Sequence, residues 1–163
     1  MAAPTPSAPL MAYRDQPFGP LEIVRTPERI SAVAPDGATV EIEAPAGDRA
    51  AIRDLLAPGL PVLLDGAPIA TLRQTSHGWR PSTRTIGLEP AAGAGLPSDA
   101  FFRVRGLITN HMTLEATHQV LISVPRPHAL NRIRRLVVAD GVPDRMVLIY
   151  AAVADRLLPA VRI

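Results

Sequence analysis

Three groups of residues in this chain have side chains capable of chemistry. His111, Glu115 and His118 place two imidazoles and a carboxylate in one short stretch. On a helix, spacings of four and three would bring them to one face, as a zinc site requires. The stretch 76–84, Ser-His-Gly-Trp-Arg-Pro-Ser-Thr-Arg, gathers His77, Trp79, Arg80 and Arg84 among hydroxyl groups, and Trp79 is the only Trp in the chain. Arginine forks beside an indole suit an anion, a stacked base or a protein partner. The third group is Arg126, His128, Arg132, Arg134 and Arg135. If helical, it would set Arg132 and Arg135 on one face and could grip phosphates, although a solvated helix face explains the same pattern.

Absent residue types exclude several chemistries. The chain has no Cys, and all 17 of its basic residues are Arg. Thiolate nucleophiles, disulfides and Cys-bound zinc are therefore ruled out, as are Schiff-base lysines and lysine-dependent P-loops. Ser76, His77 and Asp99 could be assembled into a triad, but no G-x-S-x-G elbow supports one. Arg80 and Arg84 have a spacing similar to the arginine motif of PilZ-type cyclic-dinucleotide receptors. The D/N-x-S-x-x-G element that accompanies it there is missing, so the chain is not assigned to that family. No catalytic residue, metal or cofactor is assigned.

The elements that must position these groups are mainly strands. From Phe101 to Val124 apolar side chains recur at even positions and polar ones at odd positions, a period of two that predicts one long β-hairpin with a buried and a wet face. Constant parity across the turn at 109–111 requires an odd-numbered loop. A three-residue loop would set Val104 opposite Ala116, Phe102 opposite His118 and, on the wet face, Arg105 opposite Glu115. This strand reading dissolves the metal site. His111 and Glu115 would sit about 13 Å apart on one face and His118 would point to the other, into the core. Arg103 and Arg105 are left on a wet face that could meet a partner or a phosphate, as could Arg132 and Arg135.

Two further hairpins are predicted. One spans 30–43 around Pro35-Asp36-Gly37, pairing Ala32 with Val40 and Ile30 with Ile42; the other spans 60–74 through Asp65-Gly66. Short strands are expected at 21–25 and 83–88. Helices are expected at 48–56 and at 128–139, and the stretch 144–158 reads either as a helix that begins with Pro143-Asp144, the reading preferred here, or as a strand over Met146 to Val153. Residues 90–98, rich in Ala, Gly and Pro, read as a long loop or an internal boundary. The fold class is therefore α+β, mainly antiparallel β with two or three helices. A Pro- and Ala-rich arm at 1–20 is expected to precede a single domain at 21–163.

Hydrophobic content of 47% marks a globular chain, and no apolar run is long enough to span a bilayer. No secretory signal opens the sequence, so a cytoplasmic or virion setting is expected. The formal net charge is only +2, with acids in excess before residue 66 and Arg in excess after it. That balance is modest beside dedicated nucleic-acid modules, which makes nucleic acid a less favoured partner than protein. These features point to a non-catalytic structural or interaction protein, a subunit of a homo- or hetero-oligomer such as a phage-like particle or bacterial appendage. The alternatives are an anion or nucleotide receptor using the Trp-Arg stretch, and a small enzyme using His77.

Overall fold

The computed structural model describes residues 5–6, 11–13, 20–43, 59–80, 83–105, 111–123 and 135–157. The strands are β1 (Thr5–Pro6), β2 (Met11–Tyr13), β3 (Pro20–Arg25), β4 (Arg29–Val33), β5 (Thr39–Glu43), β6 (Leu60–Leu64), β7 (Ala67–Arg80), β8 (Thr83–Pro90), β9 (Phe101–Arg105), β10 (His111–Ala116), β11 (Gln119–Ser123) and β12 (Arg135–Val138). They precede one described helix, α1 (Asp144–Leu157). Neighbouring strands pair in chain order from β3 to β12, and β2 lies between β12 and β3. The pairing therefore runs round a closed circuit, antiparallel throughout except where β12 meets β2. Closure removes the free edges that an open sheet would leave.

The hairpins at 30–43 and 60–74 form as the turn chemistry dictates. Gly37 adopts φ +92°, the Gly37 N–H donates to the Ala34 carbonyl at 2.9 Å, and Ala32 and Ile30 pair with Val40 and Ile42. Asp65 and Gly66 both take positive φ, 48° and 88°, which gives the two-residue turn whose twist matches its strands. The Asp65 carboxylate also accepts from the Thr39 N–H at 3.0 Å, tying the turns together.

The stretch 101–124 departs from a single hairpin. β9 and β10 pair Arg105 with His111, Val104 with Met112 and Phe102 with Leu114, a register centred on residue 108 rather than 110. The chain then turns again at Thr117 and His118, whose φ values are 53° and 60°, so that β9, β10 and β11 form a meander. A two-residue turn exchanges the parity of inward positions. The register shift in the β10–β11 pairing exchanges it back, since Glu115 pairs with Val120 but Leu114 pairs with Ile122, leaving Leu121 as the extra residue. Even positions are consequently buried in β10 and again at Ile122, whereas Val120, between the turn and the shift, is exposed in place of the inward position that the uninterrupted alternation predicts.

The helix expected at 128–139 is also corrected. Residues 135–138 form strand β12, which pairs with β11 and β2. The alternation of buried Leu136 with exposed Val137 suits a strand in this sheet. Residues 48–56 lie outside the described residues, so α1 is the only helix among those described, in place of the two or three expected. Thr5–Pro6 and Met11–Tyr13, within the expected arm, pair with β3.

Helix α1 explains why 146–154 is apolar without periodicity. Every residue from Met146 to Asp155 is buried, at 0–1% exposure. A helix in contact on all sides has no face for polar residues. It packs on β3, β4 and β5, while the Tyr150 ring lies 6.3 Å from Phe102 on β9 and its hydroxyl donates to the Met112 carbonyl on β10. β4 and β9 stand on opposite arcs of the circuit, so α1 runs through the barrel interior. At its entrance Arg145 donates to the Ala94 carbonyl, and at its far end the buried Asp155 carboxylate accepts two hydrogen bonds from Arg25 of β3, one of them 2.9 Å from Nε.

These contacts predict two stability effects, both readable by denaturant unfolding. Asp155→Ala should cost about 2–3 kcal/mol, less than the ~3–5 kcal/mol of a fully buried pair, because Arg25 retains 37% side-chain exposure. Tyr150→Phe should cost about 1–3 kcal/mol by leaving a buried carbonyl without its donor. Burial raises the Tyr150 hydroxyl far above its ordinary value of 10.0. Above that pH the unfolded chain loses a proton that the folded chain keeps, so stability falls as pH rises, by up to about 1.4 kcal/mol per pH unit. The Tyr150→Phe variant should lack this part of the alkaline slope.

Candidate functional site

The closed circuit fixes which strand ends meet. Connections 34–38, 65–66, 91–100, 117–118 and 139–143 lie at one pole of the barrel; 26–28, 44–59, 81–82, 106–110 and 124–134 join strands at the other. His77, Trp79, Arg80, Arg84, Arg105 and His111 all belong to strands at this second pole. Two candidate groups that are remote in sequence thus become neighbours in the sheet.

The backbone register divides the Trp-Arg group between two rows. Arg80 pairs with Thr83, Thr83 with Arg105, and Arg105 with His111, one row across β7, β8, β9 and β10. Trp79 pairs with Arg84, Arg84 with Val104, and Val104 with Met112, a row of opposite parity in which Val104 and Met112 are buried. This division arises in β7. Gln74 pairs with Ile86 and Trp79 with Arg84, so residues 75–78 stand opposite Thr85 alone. His77 lies in that irregular stretch. An odd number of extra residues exchanges parity, which gives Trp79 rather than Arg80 the register position of the buried row.

Paired charges cover the outer face away from this pole. Arg103 Nε lies 3.2 Å from Glu115 Oε2, and its guanidinium carbon sits 5.3 Å from the Phe101 ring centroid. Thr113 Oγ1 donates to the same Glu115 oxygen at 2.8 Å. The ion-pair partner of Glu115 on β9 is thus Arg103, diagonal to it, rather than Arg105, a consequence of the shifted register that sets Phe101 directly opposite. Arg73 and Glu89 form a further pair at 2.8 Å. Arg105 is exposed in the terminal row. Arg135 opens β12 opposite Ala12, and Arg132 lies outside the described residues.

His118 is exposed in the β10–β11 turn instead of packing in the core against Phe102. The turn is held by the Thr117 N–H, which donates to Asp99 Oδ2 at 2.6 Å. Among the described residues no cluster of His, Asp and Glu could hold a metal ion. A shallow depression of about 240 Å³ opens on the outer face, lined by Arg29, Glu41, Glu43, Pro61, Leu63 and Pro68 beside Ile42. Arg29 and Glu41 pair there at 3.2 Å. No described helix is long and apolar enough to cross a membrane.

The chain matches no known protein-family model, no curated protein and no solved structure. Chemistry must therefore be read from the geometry. Sequence reasoning missed Tyr150 and Asp155; an Asp at the end of an uninterrupted apolar run was the available signal that a buried charge awaited a partner.

Thr and His are unfavourable at two successive positive φ angles, where Asn-Gly is preferred. Replacing Thr117 by Asn and His118 by Gly together should raise unfolding stability by about 1 kcal/mol, measured by the denaturant midpoint. A loss of stability would contradict the turn geometry.

Proposed function

We propose that this chain is a non-catalytic interaction domain, a subunit of a larger protein assembly. The observation that carries this reading is the burial of α1 on all sides. A barrel ordinarily receives a small ligand in its interior or mouth, and here the interior is filled by the chain's own side chains. Recognition then falls to the outer surface and the poles.

Ring closure also changes how subunits would meet. Pairing between subunits through free sheet edges has little support once β3 to β12 and β2 close on one another. Side chains on the outer face are the remaining means. Val120 and Val137 are the large apolar side chains exposed there among the described residues, at 47% and 52%, on the adjacent strands β11 and β12. Such residues, set beside charged pairs, suit the centre of a modest protein interface.

Sedimentation of the full chain over a wide concentration range tests this reading. A concentration-stable oligomer that dissociates in a Val120→Asp, Val137→Asp double variant with unchanged folding supports it. A monomer at every concentration overturns it.

A further inference from the structure

The depression on the outer face has two chemically different sides. On β6 and β7 its lining is apolar, with Pro61, Leu63 and Pro68, whereas on β4 and β5 it is charged, with Arg29, Glu41 and Glu43. The register sets Leu63 between Glu41 and Pro68, and the shift in the β6–β7 pairing after Val62 leaves Ile69 as the extra residue. Short proline rings beside long Arg and Glu stems leave the hollow between them. Its charges do not cancel. Arg29 stands directly opposite Glu43 in the backbone pairing, yet its guanidinium pairs with Glu41 at 3.2 Å. Glu43 is exposed and has no ion pair among the described residues. Apart from Arg25, which is engaged by Asp155, the ionisable side chains of residues 21–43 are Glu22, Glu28, Asp36, Glu41 and Glu43 against Arg29. The depression therefore lies at the border of an arc that carries excess negative charge.

We propose that this depression docks an extended segment of a partner protein, one that sets an apolar side chain against Pro61, Leu63 and Pro68 and an adjacent Arg or Lys against Glu43. Pockets that take drug-sized ligands run to about 300–1,000 Å³. At about 240 Å³, this one suits a side chain of a larger partner rather than a whole small molecule. Apolar contact alone would accept many segments; the uncompensated carboxylate and the acids around it favour a cationic one and repel an acidic one. β4, β5, β6 and β7 are each paired on both sides, so their backbone groups are committed to the sheet. Recognition therefore works through side chains on the face of the sheet and not by addition of a strand. The proposal does not depend on self-association of the chain.

Titration of the isotope-labelled full chain with the capped peptide Gly-Arg-Leu-Arg-Gly, followed by backbone amide shifts in nuclear magnetic resonance, is the test. Shifts should saturate at millimolar peptide and centre on residues 41–43 and 61–63. The same peptide with Ala in place of Leu should bind at least about five-fold more weakly. Glu43→Gln should weaken the Leu peptide by about two- to five-fold, the scale of one exposed ion pair. Asp140→Asn, which removes an acid far from the depression, should leave affinity unchanged, with urea unfolding confirming that both variants keep the fold. The absence of saturable shifts, shifts scattered over the surface, or equal binding of Gly-Glu-Leu-Glu-Gly would overturn the proposal. So would an unchanged affinity in Glu43→Gln, an equal loss in Asp140→Asn, or no loss with the Ala peptide. Dissociation of a full-chain oligomer by Leu63→Asp would overturn it in favour of a second copy as the occupant.

Discussion

A closed sheet must fill its interior, and among the described residues the filling is helix α1. The other described features follow from that constraint. Even-numbered residues of β9 and β10 point inward because α1 is there to meet them, and Tyr150 spans the interior to reach the Met112 carbonyl. A phenol is tolerated at this depth because its hydroxyl has a backbone acceptor. Asp155 is tolerated because Arg25 supplies a two-pronged partner from the wall. The helix is thus located along the barrel axis by polar contacts with the wall and its entrance connection, while apolar packing supplies most of the stabilisation.

Filling the interior also moves function outward. The described depression on the outer face is shallow, and charge pairs such as Arg103 with Glu115 and Arg73 with Glu89 neutralise much of the wall between the poles. At the poles the chain leaves and re-enters the sheet, so connections remote in sequence are collected side by side. Strand order therefore does for charge what it does for hydrophobicity: it sorts residues that alternate along the chain onto separate regions of the surface.

The meander at 101–123 shows how a sequence pattern can be read correctly by face and wrongly by pairing. Parity survives any combination of turns and bulges whose exchanges cancel, and the two-residue turn at Thr117-His118 and the extra residue Leu121 cancel in this way. Alternation consequently identified Phe102, Val104, Met112, Leu114 and Ile122 as core residues. It carried no information about where the chain reversed. Thr117 and His118 gave no turn signal because neither is a residue that ordinarily adopts positive φ; the conformation is sustained by flanking strands and by Asp99. By contrast, Pro35-Asp36-Gly37 and Asp65-Gly66 declared both turn and register, since their backbone preferences are local.

By itself, the sequence determined what depends on neighbouring residues: the β-rich class, two hairpins with their turns and the exclusion of thiol and lysine chemistry; it left 144–158 open between helix and strand. Tertiary structure decided what depends on residues far apart. It made 135–138 a strand because β11 and β2 flank it, placed α1 inside the barrel, and joined Asp155 to Arg25. It also separated Trp79 from Arg80 by parity and brought the latter into line with Arg105 and His111. The physical reason is that propensity and periodicity act over a few bonds. Closure of a sheet is a condition on the whole chain, and no local stretch encodes which distant strand will become its neighbour.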